Sequence, residues 1–368
     1  MIVSVGVVSI IAAEVCFRWL GDRPSADMAG LFAPFGAGSY RLAPSVNTSE
    51  DLASGYVSCF TDELGLRCDS KRELATKAGD SIDVLFLGDS QGFGNGVNFE
   101  DTIAGAAAMA ASVRGWRLAN ASVGGHSARN QLELARWLQD DQKISVGNYV
   151  LLFTPTMLIN CDSYMRETVG QDGRLYDKPK NFLELLAISL KTNSVCYSRV
   201  RDAVRNSGIG NIPSASEQFI FGLYGGGPDE RRINGTLKAF LGEFSAFAAI
   251  HGANVRIVYL PLTVEADFDP VRKAAGTQGI SLNRDFPLRI LQTVAAELKL
   301  PVENLRPELE RLHAQGRQLN LKGDYHWDSY VSRTCGLALW SRIEPLLTKS
   351  QYPIETSDNP SNCDHGTK

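Results

Sequence analysis

The hydrophobic pattern of the chain is organised around short apolar runs that alternate with longer segments of helical period. The residues DVLFLG, from Asp83 to Gly88, form an unbroken apolar run of the kind a parallel strand shows when both its faces are covered. An alanine-rich stretch, Phe99 to Val113, is predicted to be a helix. A strand at Trp116 to Ala121, a helix at Ala128 to Leu138 and a strand at Tyr149 to Phe153 follow. From Pro155 to about Glu230 the rhythm breaks, and GQDGRLYDKPKN and YGGGPDE mark loops around one or two helical segments. Alternation then resumes with a helix near Leu237 to His251, a strand at Asn254 to Leu260, a helix near Leu288 to Leu298 and a last helix around Thr334 to Leu347. Strand and helix in turn predict a doubly wound α/β domain over residues 80–349, with an insertion at about 155–230 on the rim of the sheet after the third strand.

The ends of the chain read differently. Met1 to Leu20, MIVSVGVVSIIAAEVCFRWL, is apolar apart from Glu14 and Arg18, and is expected to be an N-terminal membrane anchor. Its apolar part is short beside the roughly 20 residues that cross a bilayer, so a buried amphipathic helix is the competing reading. No basic residue precedes it, so flanking charge does not set its orientation. Ala13, Glu14 and Val15 ahead of Cys16 fit neither a cleavage site nor a lipoprotein signal, which favours an anchor that is retained. Residues 21–79, mixed in character and rich in Gly, Ser and Pro, are expected to wrap the body as a stalk and cap, and the polar residues 350–368 to form a disordered tail.

Composition narrows the classes of function. The 368 residues carry 37 Lys and Arg against 41 Asp and Glu, a formal charge of −4, which gives no footprint for a nucleic-acid partner. With 44% hydrophobic residues a sizeable core is available. Of the seven cysteines, Cys59, Cys68, Cys161, Cys196, Cys335 and Cys363 lie beyond the anchor, an even set that suits an oxidising compartment, with free buried thiols as the alternative. Cys59 and Cys68 would close a small loop. Neither Cys-x-x-Cys nor a pair of histidines at ligand spacing on one helical face occurs, so no metal and no other cofactor is called for.

Three segments carry candidate chemistry. In LFLGDSQGFGNG, Ser90 stands just past a predicted buried strand, where parallel sheets place their sites. Gly88, Gly92, Gly94 and Gly96 permit a tight turn there, and the spacing matches neither G-x-G-x-x-G nor a phosphate loop. A serine hydroxyl needs a base. Among His126, His251, His313, His326 and His365, His326 is the candidate, because in GDYHWD it follows Asp324, a carboxylate able to orient an imidazole. His365 lies in the tail, His251 ends a predicted helix and His313 sits on a charged helical face. In NASVGGHSARNQ, Asn120 to Gln131, the amide of Gly125 is a candidate donor to an oxyanion. The plainer reading of that segment is a glycine-rich loop with His126 solvated beside it.

Together these segments resemble the SGNH, or GDSL-type, hydrolase family over roughly Asp83 to Leu347: Gly88-Asp89-Ser90 as its first block, Gly125 as its second and Asp324 with His326 as its last. The resemblance implies a three-layer αβα sandwich with a mainly parallel, flavodoxin-like sheet, Ser90 as nucleophile, His326 as base and Asp324 as its partner. It also implies an oxyanion hole built from the Ser90 amide, the Gly125 amide and an asparagine. That asparagine has no counterpart in LLFTPTMLINCD; the expected position falls near Thr156, and the nearest asparagine is Asn160. Asp324-x-His326-Trp327, together with Glu14 and Arg18 in the anchor, looks like the membrane-anchored bacterial members linked to exopolysaccharide acetylation. The resemblance therefore implies a serine esterase acting on acyl esters, O-acetyl groups of a carbohydrate among them, with its body in the periplasm or outside the cell. An O-acyltransferase served by a membrane acyl-donor protein, or a noncatalytic glycan-binding subunit, are the alternatives. Tyr164 and Tyr176, in the loop Cys161 to Asn181, are candidate faces for a sugar.

Overall fold

The computed structural model describes residues 30–36, 39–52, 55–159, 161, 167–170, 173, 175–177, 215–225, 230–321 and 325–348. The proposed anchor, the tail, Asp324, Asn160, Tyr164, Cys16, Cys196 and Cys363 lie outside these residues. Among the described residues no helix is long and apolar enough to cross a membrane.

The strands are β1 (Phe32–Phe35), β2 (Ser39–Leu42), β3 (Asn47–Leu52), β4 (Gly55–Thr61), β5 (Arg67–Cys68), β6 (Ser81–Gly88), β7 (Leu118–Asn120), β8 (Ser145–Phe153), β9 (Glu167–Val169), β10 (Leu175–Asp177), β11 (Asn254–Tyr259) and β12 (Val302–Asn304). The helices are α1 (Ser90–Phe93), α2 (Ile103–Ser112), α3 (Ala128–Arg136), α4 (Pro155–Ile159), α5 (Ala215–Tyr224), α6 (Glu230–Ile250), α7 (Asp269–Gly276), α8 (Phe286–Glu297), α9 (Arg306–Ala314) and α10 (Ser329–Ile343).

Eight strands form the central sheet in the order β12-β11-β8-β6-β7-β5-β4-β3. The five from β12 to β7 run parallel, and β5, β4 and β3 extend the sheet antiparallel from β7. From β6 the chain moves first to β7 on one side and then to β8 on the other, which makes the carboxyl end of β6 the switch point where such sheets open a crevice.

The layers follow from alternation along the strands. Leu85 and Leu87 of β6 join Leu132 of α3, Phe240 of α6 and Leu291 of α8 on one face. Val84 and Phe86 join Ile103 of α2, Leu309 of α9 and Leu339 of α10 on the other. Both faces of β6 are thus covered, which is why its sequence reads as a continuous apolar run. The architecture is the three-layer αβα sandwich with a mostly parallel sheet. A separate cluster packs Phe221 and Tyr224 of α5 against Phe268, Ala275 and Leu282, so the described end of the insertion rests on the segment that follows β11.

Residues 31–68, expected as stalk and cap, instead supply β1 to β5, three of which belong to the central sheet. Cys59 and Cys68 do not close a loop: Cys68 registers with Phe60, which turns the Cys59 side chain to the opposite face. Cys59, Cys68 and Cys335 are free, buried thiols, and burial pushes Cys68 and Cys335 up to about 12. One close approach sets the placement of α10: a side chain at Gly336 would collide with the backbone carbonyl of Ile103. The bare glycine lets α10 lie directly on α2, and the segment entering α10 is the one that carries His326.

Candidate active site

Ser90 is the first residue of α1, immediately beyond β6. Asp89 caps the helix by accepting a hydrogen bond from the Gln91 amide at 3.0 Å, and Gly94, in the left-handed region at φ 82°, closes it by donating its amide to the Ser90 carbonyl. The Ser90 amide precedes the first bond of the helix, so its N–H is among those a helix leaves unspent. This short helix lies close on its neighbours, because a Cβ at Gly92 would stand 2.9 Å from Ser122 Oγ and 3.0 Å from Leu152 Cδ1. Ser90 itself is half-buried.

His326 is 6% exposed, and its Nε2 lies 2.8 Å from Ser90 Oγ, across 236 positions of sequence. The backbone holds the ring there: Leu321 donates its amide to the His326 carbonyl at 2.9 Å, Asp328 donates to the Leu319 carbonyl at 3.0 Å, and Asp328 caps α10 by accepting from the Val331 amide at 2.8 Å. The Tyr325 ring, half exposed to solvent, stacks on the imidazole at 4.3 Å. Ser90 and His326, the two candidates from the sequence, are therefore in hydrogen-bond contact. Asp324 belongs to the residues outside the description.

Gly125 sits in the turn after β7 at φ 77°, a left-handed conformation that suits glycine. The turn borders Ser90, since a Cβ on the adjacent Gly124 would lie 4.0 Å from Ser90 Cβ. At the third block, Thr156 is half-buried in α4 and Asn160 is not among the described residues. The hydroxyl here that does reach the turn before Ser90 is Thr154, which donates to the Asp89 carboxylate. Burial pushes the Asp89 carboxyl above its ordinary value, against the opposing pull of the Thr154 and Gln91 hydrogen bonds.

Two fastenings were not foreseen. Arg67 of β5 is 2% exposed, and its guanidinium donates to the carbonyls of Phe93 (2.5 Å), Gly94 (2.7 Å) and Val97 (2.5 Å) while lying over the Phe93 ring at 4.4 Å. Among the described residues no carboxylate pairs with it. It clasps the turn that leaves α1. The same β5 residue registers with Asn120 of β7, whose side chain donates to the Gly92 carbonyl at 3.3 Å and accepts from the Ser122 amide at 3.0 Å.

His126, read from sequence as a solvated loop residue, is 2% exposed. Its Nε2 lies 2.7 Å from the Tyr40 carbonyl, and because a carbonyl only accepts, Nε2 carries the proton. Burial lowers its pKa to about 4, with the Tyr40 hydrogen bond opposing, so the ring is neutral near pH 7. The Tyr40 hydroxyl in turn donates to the Gly124 carbonyl at 3.0 Å. The loop bearing Gly125 is thereby tied to β2, as the loop after Ser90 is tied to β5. A lone arginine in a two-residue strand gave no sequence signal, whereas the Asp-Ser capping pair at Asp89 and Ser90 was readable.

Among the described residues no group of three or more His, Cys, Asp or Glu side chains is placed to hold a metal ion.

No family model and no curated protein matches this sequence. Solved structures do match over most of the chain. The crystal structure of TesA is 13% identical at a TM-score of 0.40, covering 72% of this chain and 99% of that one. A lipase/acylhydrolase from Enterococcus faecalis is 12% identical at a TM-score of 0.39, over 74% and 100%. The acetyl xylan esterase AlAXEase is 14% identical at a TM-score of 0.40, over 71% and 100%.

Proposed function

We propose that this chain is a serine esterase of the SGNH type, cleaving acyl esters, O-acetyl esters of a carbohydrate among them, through an acyl-Ser90 intermediate. The observation that carries the reading is the 2.8 Å approach of His326 Nε2 to Ser90 Oγ at the switch point of the sheet.

With its proton on Nδ1, His326 accepts the Ser90 proton at Nε2 as Oγ attacks the ester carbonyl. The tetrahedral oxyanion is held by the Ser90 and Gly125 amides, with Asn160 or Thr156 as the third donor. Collapse expels the alcohol, which takes the proton back from Nε2, and leaves the acyl group on Oγ. Water then attacks with His326 again as base, releasing the carboxylic acid and restoring the serine. Asp324 is the carboxylate proposed to hold the Nδ1 proton.

Half-burial of Ser90 leaves it open to solvent, which supports water as the acceptor. A sugar hydroxyl in place of water would make the same site an O-acyltransferase. The short Ser90–His326 contact counts against a noncatalytic glycan-binding subunit, which has no use for it. Residues 1–20 remain proposed as the membrane anchor, with the body in the periplasm or outside the cell and a membrane acyl-donor protein as partner if the reaction is transfer.

Hydrolysis of 4-nitrophenyl acetate by the full chain, beside Ser90→Ala and with a polysaccharide acceptor present and absent, tests the proposal. Serine-dependent release that does not change with acceptor supports the esterase. Release that rises with acceptor shifts the assignment to transfer, and release equal in Ser90→Ala rejects both.

A further inference from the structure

Against the segments that flank His326 in sequence lies a cavity that the proposed chemistry does not use. It is a cleft of about 370 Å³ between β4, the turn at Gly96 to Asn98, and the two segments on either side of His326. That volume falls within the roughly 300–1,000 Å³ of small-ligand sites. It shares its walls with the site. Gly96 and Val97 belong to the turn that Arg67 clasps behind Ser90, Asn320 pairs with Trp327, and Leu321 donates its amide to the His326 carbonyl.

The lining selects a chemistry. Asp101, paired with Arg333 at 3.5 Å, and Asp328, which caps α10, stand at the cleft and no Lys or Arg lines it, so a phosphate or other anion finds no cation of its own there. Its apolar side chains are three aliphatics, Val57, Val97 and Leu321, too few for an acyl chain to prefer it to a hydrophobic groove. What remains is suited to hydroxyl groups. Asn98, Gln318, Asn320 and Ser329 line the rest of it, residues whose side chains carry amide and hydroxyl groups. Gln318 is exposed at the rim, with Nε2 held on the Asn320 carbonyl at 2.7 Å, leaving its amide oxygen for a ligand. At the opposite rim the Tyr56 ring is 67% exposed, with its hydroxyl fixed on Ser49 Oγ at 2.5 Å. A flat aromatic face with a polar tip suits a ring that is apolar on its faces and polar at its edges.

We infer that this cleft binds a neutral oligosaccharide, seating the carbohydrate part of an ester whose acyl group reaches Ser90; the last clause rests on the esterase reading, the binding does not.

The test is isothermal titration of the full chain carrying Ser90→Ala, which keeps a bound ester intact. The probes are β-1,4-linked pentasaccharides of glucose, xylose and mannose, plain and O-acetylated, and calcium chloride alone. At least one saccharide is expected to bind, and Tyr56→Ala and Gln318→Ala are each expected to weaken it roughly fivefold to tenfold with an unchanged melting temperature. No binding by any saccharide, or binding indifferent to both substitutions, overturns the inference. Calcium binding without saccharide binding also overturns it, reassigning the two carboxylates to a cation. Failure of the wild-type chain to hydrolyse 4-nitrophenyl acetate bears on the esterase reading alone.

Discussion

Buried ionisable groups are handled in opposite ways on the two sides of β6. Beyond β11, Glu265 is fully buried and its carboxylate accepts from the hydroxyls of Tyr224 and Tyr259 at 2.7 Å each, from the Leu262 amide at 3.1 Å and from Arg306 Nε at 2.7 Å. Arg306 also pairs with Asp285 at 2.6 Å. Charge there is matched by charge, and the network locks α5 to the body. On the other side, Arg67 and His126 are as deeply buried, yet their hydrogen bonds go to backbone carbonyls. Desolvation of a cation is costly, so Arg67 is kept by three carbonyl acceptors and the Phe93 ring rather than by a counter-ion. The first region holds one packing unit against another. The second holds the two loops that flank Ser90.

That contrast predicts different failures. Glu265→Gln leaves Arg306 under-compensated in the interior and is expected to cost about 3–5 kcal/mol in denaturant unfolding, with turnover by the folded protein preserved. A loss below 1 kcal/mol would mean that the network is not the clamp described. His126 makes the second region sensitive to acid. Its folded pKa, about 4, lies below the unfolded value of 6.5, so the unfolded chain binds the extra proton. Stability is therefore full above pH 6.5 and is lost as pH falls towards 4, by on the order of 3 kcal/mol. Subtracting the curve of His126→Gln isolates this slope; parallel curves would contradict the assignment.

Arg67→Met reads on catalysis. It is expected to lower kcat for a small acetyl ester about a hundredfold with little change in KM, because the nucleophile shifts while the binding surface stays. Arg67→Lys should retain part of the rate by reaching some of the same carbonyls. Equal losses in kcat and in folded fraction would reduce Arg67 to a stability role. The smallest effect is Tyr224→Phe, about 1 kcal/mol of stability from one lost hydrogen bond, with the site untouched.

The same divide runs through what the sequence disclosed. Much of the parallel half was legible because β6, β8 and β11 are covered on both faces: these strands and α2, α3 and α6 stand close to where periodicity put them, while β12, three half-buried residues, was not foreseen. Ser90 and His326 drew notice together, through the order and spacing of three segments that resemble one family, since a Gly-Asp-Ser turn alone is more often only a turn. The antiparallel strands were not, since β5 is two residues long and its role comes from pairing with β7 and from a guanidinium whose acceptors lie 26 to 30 positions away. His126 misled for the same reason: its burial depends on Tyr40, 86 positions upstream, in a stretch whose composition suggested a stalk. At the third block Thr156 is half-buried on α4 and Thr154 is committed to Asp89.

The central claim is that Ser90 becomes acylated with His326 as its base. Acid-quenched mass spectrometry of the full chain after brief exposure to 4-nitrophenyl acetate tests it most directly. The account predicts an acetyl group on the peptide containing Ser90, absent in Ser90→Ala and slow to form in His326→Ala. An unmodified Ser90 peptide in a chain that still releases nitrophenol, or equal acetylation elsewhere in Ser90→Ala, would contradict it.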